Sequence, residues 1–332
     1  MRIASFNLEN LGSTPDLPAR IAVLKPQIQR LAADVLCLQE VDASRQPGAP
    51  ERVLTALDGL LAGTRYEAFH RIVTTRGEGR GPRDRHNLVI VSRWPADSMS
   101  QLTNDLVPPP RYAPVTRRQE DGTEAGEAPS ELVSWDRPVL HVALSPGDGR
   151  SLHVINVHLK APLASYIAGQ KIGPFSWRSV GGWAEGFYIA AMKRAGQALE
   201  ARLLIDQLFA AEPDARIALC GDFNAEARDV AFQILAGDTE DTGNGALAVQ
   251  ELIPLEHSLP ESRRFTVIHG GRRQMLDHIL VSRSLLAHYR GIEVHNEALG
   301  DELVDLTTVA HTPESYHAPV VANFDIGQAD DR

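Results

Sequence analysis

Six short stretches of this 332-residue chain each close an apolar run with a polar side chain suited to binding a cation, a proton or a phosphate. "SFNLEN" delivers Asn7, "LCLQEVD" delivers Glu40, "INVHLK" carries Asn156 and His158, and "LCGDFN" carries Asp222 and Asn224. "MLDHIL" carries Asp277, and "TPESYHAPVV" carries His317 with Tyr316 just before it. Desolvating a carboxylate or an amide is costly without partners, so a single such residue reads as a local cap or turn. Six stretches that repeat the arrangement have a more economical explanation. The polar ends meet at one rim and satisfy one another through a metal ion or a substrate.

Strands and helices must carry these residues to that rim. "RIASFN" (2–7) and "DVLCLQE" (34–40) read as strands, and Ile21, Leu24, Ile28 and Leu31 mark a helix between them. Pro26 falls inside that pattern, so a kink or a later helix start is expected. Residues 51–63 read as a second helix, 66–73 and 87–93 as strands, and "PVLHVAL" with "SLHVINVHL" as a hairpin around "SPGDGR". A long helix is expected over about 187–210. Further strands are expected at 216–223, 265–270, 274–282, 292–296 and 318–324. Runs such as "VLCLQ" and "RIALC" are apolar throughout and imply sheets covered on both faces, while the hairpin excludes an all-parallel sheet. An α/β chain of two mixed sheets packed together, with helices outside, accommodates all of this.

Composition narrows the class. With 43% hydrophobic and 23% charged residues the chain can bury a large core. Cys37 and Cys220 lie within apolar runs and read as reduced, buried thiols, which leaves no disulfide framework or zinc cluster. No run approaches the ~18 apolar residues of a membrane span, and the N-terminus lacks the pattern of a secretory signal, so a cytoplasmic protein without stable membrane insertion is expected. The net charge of −10 disfavours tight, sequence-blind duplex binding, although local arginine groups such as Arg117 with Arg118 still permit an anionic substrate. Two segments look inserted. Residues 104–131 read as a mobile surface loop. Residues 161–187 gather aromatics and glycines and read as a packing loop or as a lid beside a binding site.

The series "FN", "LQEV", "IVSRWP", "NVHL", "GDFN", "LDHIL" and "HAPV" resembles the endonuclease/exonuclease/phosphatase superfamily, in the family's order and over nearly the whole chain. That resemblance implies a four-layer αββα sandwich in a single domain over 1–326, followed by a disordered tail at 327–332. It implies a phosphoesterase, foremost a phosphodiesterase or nuclease. A phospholipid headgroup or phosphoinositide hydrolase and an inactive binding scaffold stand as alternatives. By the resemblance, Asn7 and Glu40 form the metal side, Asp222 and Asn224 position water and a phosphoryl oxygen, and Asp277 orients His317. His158 donates to a phosphate oxygen or to the leaving group, and Asn156 and Tyr316 contact the substrate. Oxygen ligands without a cysteine or histidine cluster suit Mg²⁺ or Mn²⁺. The expected partner is a phosphodiester, nucleic acid or nucleotide-like, and no protein partner is implied. One departure stands out: relatives place an aspartate where this chain has Tyr316, and Glu314 is the nearby residue that could replace it. An acid that orients the first histidine in some relatives falls near His86, with Asp84 close by.

Overall fold

The computed structural model describes residues 1–326 apart from 47, 49, 78–80, 120, 124, 125, 127, 128 and 309–311, so the expected tail at 327–332 lies outside the described residues. Twelve strands form two six-stranded sheets. In chain order they are β1 (Arg2–Leu11), β2 (Val35–Val41), β3 (His70–Val73), β4 (Asn87–Ser92), β5 (Ala96–Leu102) and β6 (Val139–Leu144). They continue with β7 (Leu152–His158), β8 (Arg216–Asp222), β9 (Ile253–Pro254), β10 (Asp277–Val281), β11 (Tyr289–Val294) and β12 (Val320–Phe324). The first sheet runs β11-β12-β1-β2-β4-β3 and the second β9-β10-β8-β7-β6-β5.

Each sheet has one parallel pair at its centre, β1 with β2 and β7 with β8, among otherwise antiparallel neighbours. A parallel pair needs a crossover, and a helix supplies it in each sheet. Helix α1 (Leu17–Leu31) joins β1 to β2, and α3 (Val180–Ala211) joins β7 to β8. Two shorter helices, α2 (Thr55–Leu61) and α4 (Val230–Ala236), add to the same outer layers. Helix α1 runs through Pro26, while α2 is shorter than the pattern over 51–63 implied.

Side-chain alternation assigns the layers. On β1, Ala4, Phe6 and Leu8 pack outward with Leu24, Ile28 and Leu57, whereas Ile3 points inward to join Cys37, Val154, Cys220 and Ile279 from both sheets. On β7 and β8, Ile155, Val157, Ile217 and Leu219 pack outward against Ala201, Ile205 and Phe209 of α3. The result is helix, sheet, sheet, helix, the expected four-layer sandwich. The same alternation aims the chemistry: Asn7 shares the parity of Ile3, His158 that of Val154, Asp222 that of Cys220, and Asp277 that of Ile279. All four therefore point into the gap between the sheets, at the carboxyl ends of the parallel strands, where open α/β sheets place their ligands.

Helix α3 begins at Val180, about seven residues before the apolar period becomes visible. Gly181 and Gly182 weaken the helical signal there, but the Ser179 hydroxyl accepts from the Gly182 amide at 3.0 Å and fixes the start. The segment read as a mobile loop is anchored to this helix by two carboxylates. Glu200 accepts from the amides of Asn104, Asp105 and Leu106 and from the Trp135 indole. Glu185 accepts from the Tyr112 hydroxyl and from the Val115 and Thr116 amides. A buried acid that collects several donors in this way is a clamp. Among the described residues no helix is long and apolar enough to cross a membrane.

Candidate active site

The polar strand ends meet. Asp222 and Asp277 lie opposite each other in the β8/β10 register, and with His317 each offers one ligand atom within 4.8 Å of the others. Asn7 Nδ2 donates to Asp222 Oδ2 at 3.0 Å, and His158 Nε2 lies 3.3 Å from the same oxygen. Glu40 Oε1 lies 3.6 Å from His158 Nε2. Glu40 would face outward by simple alternation after Leu36 and Leu38. It sits at φ +59° where the β2/β4 register slips, so the irregularity turns its carboxylate toward the mouth.

The loops hold these groups in place. Asn224, at φ +48°, folds back so that its amide and side chain both donate to Asp222, at 2.8 and 3.1 Å, and its Nδ2 also reaches the Leu159 carbonyl. Ser315 Oγ donates to the Asn7 carbonyl at 2.7 Å and accepts from the His317 amide at 3.1 Å, which ties the segment before β12 to the end of β1. His317 Nδ1 bonds Asp277 Oδ2 at 2.8 Å.

Electrostatics separate the groups. Burial, reinforced by the Asp277 charge, lifts Asp222 to about 7. Burial alone would lower His317, but the Asp277 and Asp222 carboxylates override it and raise the imidazole to about 10. Burial and then the Arg137 charge hold His158 well below its ordinary value. Carboxylates at 3.3 and 3.6 Å do not reverse this, because His317, His86 and Lys160 oppose the charged imidazole as well.

The donor set fits a hard divalent cation. Carboxylate oxygens from Glu40, Asp222 and Asp277 crowd one mouth, the buried Asp277 Oδ1 has no hydrogen-bond partner among the described residues, and the lift of Asp222 marks a cluster short of positive charge.

Two expected substrate contacts sit elsewhere. Asn156 is fully buried beneath the mouth. Its Nδ2 donates to the Leu38 and Val89 carbonyls at 3.0 and 3.2 Å, and its Oδ1 accepts from Gln39 at 2.7 Å, so its amide is spent on fastening one sheet to the other. Tyr316 is buried as well, with its ring edge beside Gly300, and its backbone amide donates to Glu9 Oε2 at 2.8 Å. Glu314 is exposed and lines a flank cavity of 220 Å³ with Arg30, His295 and the outer side of His317. Glu9, which sequence reasoning passed over, therefore supplies the anion beside position 316. Arg20 clamps the neighbouring Leu8 and Glu9 carbonyls at 2.7 and 2.8 Å. Two consecutive left-handed residues, Glu9 and Asn10, shape that turn, and nothing in the sequence marks the acid there as more than a solvated charge. Arg137, whose charge acts on Glu40 and Asp222, was missed because a lone arginine before a strand has no sequence signature. Near His158, His86 Nδ1 stands 3.8 Å from Glu40, while Asp84 is drawn away into an ion pair with Arg52 at 2.6 Å.

The sequence matches the Endonuclease/Exonuclease/phosphatase family over residues 4–301. No curated protein matches it. Similar solved structures include the 3′ phosphatase NExo from Neisseria bound to product DNA hairpin, 20% identical, with 98% of this chain and 100% of that chain covered at a TM-score of 0.53. An AP endonuclease from Archaeoglobus fulgidus is 14% identical, with 98% and 100% covered at 0.54. A mannosyl-6-phosphatase from Bacteroides thetaiotaomicron is 17% identical, with 98% and 100% covered at 0.57. At these identities the likeness concerns the fold.

Proposed function

The chain belongs to the Endonuclease/Exonuclease/phosphatase family, and on that premise we propose that it hydrolyses phosphodiesters, foremost of nucleic acid or nucleotide-like substrates, with Mg²⁺ or Mn²⁺ as cofactor. The observation that carries this reading is the convergence of Asn7, Glu40, His158, Asp222, Asp277 and His317 on one mouth. Glu40 and Asn7, with Asp222 and Glu9 bordering them, would hold the cation. Once bound, it supplies positive charge against the phosphate oxygens.

The chain's own residues divide the remaining work. His317, kept protonated by Asp277, is a fixed cation that attracts the phosphate and stabilises charge developing on it. Asp222, held by Asn7 and Asn224, accepts the proton of an attacking water, and its lift toward neutrality suits a base near pH 7. His158, buried and neutral, donates an N–H to a non-bridging oxygen or to the leaving group. Arg137 adds a further charge on the His158 side. Headgroup hydrolysis remains a second reading, favoured only by the exposed apolar side chains of the 161–187 segment.

A generic bis-aryl phosphodiester tests the class of reaction. Turnover that requires Mg²⁺ or Mn²⁺ and drops at least a hundredfold in Glu40→Gln supports the proposal. Absence of turnover on that ester, on oligonucleotides and on sphingomyelin would refute it.

A further inference from the structure

We propose that the 161–188 segment is a stacking platform for unpaired bases, so that the substrate is single-stranded nucleic acid. The inference rests on the phosphodiesterase reading above. The segment begins three residues after His158, the last residue of β7, and runs into α3, whose Arg194 donates to the Lys160 carbonyl at 3.0 Å and whose Gln197 donates to the His158 carbonyl at 3.2 Å. Its entry is therefore fastened beside the strand end that carries His158.

Its rings face water. Phe175 is 96% exposed and Tyr166 71%, and Trp183 stacks on Phe187 with centroids 5.4 Å apart while both remain accessible. The stacked and accessible Trp183–Phe187 pair gives the segment an exposed aromatic face. The segment is nevertheless firmly seated. A bridge between Lys171 and Trp177 closes the loop that presents Phe175, and the Ser165 amide bonds the Gly186 carbonyl at 2.8 Å. The approach is so close that a Cβ on Gly186 would meet the Ser165 carbonyl oxygen at 2.3 Å.

Charge selects the occupant. In a chain of net charge −10, no aspartate or glutamate occurs between Asp148 and Glu185, and Glu185 is buried in its clamp. The cations within the segment are Lys171, whose ammonium lies 5.1 Å over the Trp177 ring, and Arg178. Rings interleaved with cations, beside a phosphodiester site, match a polyanion that carries flat apolar groups. Bases in a duplex are stacked on each other and cannot offer their faces, whereas unpaired bases can. Polar residues interrupt the rings at Lys171, Ser176, Arg178 and Ser179, which breaks up the continuous apolar edge that a lipid surface would favour.

The test uses an oligothymidylate of about twelve residues, an equal-length duplex, and phosphatidylglycerol vesicles, with the full chain in EDTA so that turnover is silent. The proposal expects the single strand to quench tryptophan fluorescence and to bind about tenfold more tightly than the duplex. It also expects Phe175→Ser and Trp183→Ser each to weaken that binding about tenfold, with thermal melting confirming that both variants are folded. Equal affinity for strand and duplex would overturn it, as would undiminished binding by both variants or binding to vesicles alone. Turnover of the bis-aryl ester by the wild-type protein is scored separately. A protein that hydrolyses the ester but ignores the oligonucleotide disproves the platform and leaves the phosphodiesterase reading standing.

Discussion

Two histidines frame the mouth, and their surroundings make them opposites. His317 has Asp277 at 2.8 Å on its Nδ1 and is lifted to about 10. His158 has no partner on Nδ1 among the described residues, turns its Nε2 toward Asp222 and Glu40, and is held neutral by burial and by Arg137. Both come from the lips of apolar strands, and both are largely enclosed. Enclosure alone would discharge the two alike, so a dedicated carboxylate, present at one corner and absent from the other, decides which imidazole carries the charge. The site thereby acquires a permanent cation on one side and a neutral donor on the other.

Removing the carboxylate should collapse that contrast with the largest effect. Asp277→Asn is expected to drop the His317 titration toward the neutral range and to lower kcat/KM by about a thousandfold, read by NMR titration of the ring protons and by phosphodiester turnover. If His317 remains charged at pH 8 in that variant, the contrast has another cause. His158→Gln attacks the other corner. Since it replaces one neutral N–H donor with another, about a hundredfold loss in kcat is expected, smaller than the first effect. A larger loss than that of Asp277→Asn would mean that His158 works as a charged acid.

Asn156→Ala separates support from contact. It strips the Leu38 and Val89 carbonyls of their cross-sheet donor, so a destabilisation of about 2 kcal/mol is expected in denaturant unfolding, with KM little changed. A large rise in KM with stability intact would return Asn156 to the substrate. The effect that is smallest near neutral pH concerns a buried histidine pair away from the mouth. His141 Nε2 lies 3.1 Å from His153 Nδ1, and burial, with the His153 charge next, lowers His141 to about 4. Its folded value lies below the unfolded one, so its contribution is complete above about pH 6.5 and fades as pH falls toward 4, by at most about 1.4 kcal/mol per pH unit. His141→Phe should flatten the acid limb of a stability profile. An unchanged limb would assign acid sensitivity to other groups.

Much of this arrangement was legible from residue types. Short runs that are apolar throughout gave the strands, and polar residues at their ends gave the mouth, because burying such groups is tolerable only where they meet partners. Asp222, Asp277 and His317 were readable for that reason. Asn156 misled because it lies one alternation step before His158 on the same face, and only the cross-sheet bonds show that the two sheets close over it. Glu40 lies on the wrong face by parity and is rescued by a left-handed turn that no pattern announces. Glu9, Arg137 and the clamps Glu185 and Glu200 act across separations of tens to hundreds of residues, where charge in the sequence cannot be told from an ordinary solvated surface.

Anomalous diffraction from crystals soaked in Mn²⁺ tests most directly whether these scattered residues form one cation-holding cup. The account predicts a single strong peak within coordination distance of the Glu40 carboxylate and bordered by Asn7 and Asp222, lost in Glu40→Gln. A peak elsewhere on the molecule, or no peak while Mn²⁺-dependent turnover persists, would contradict it.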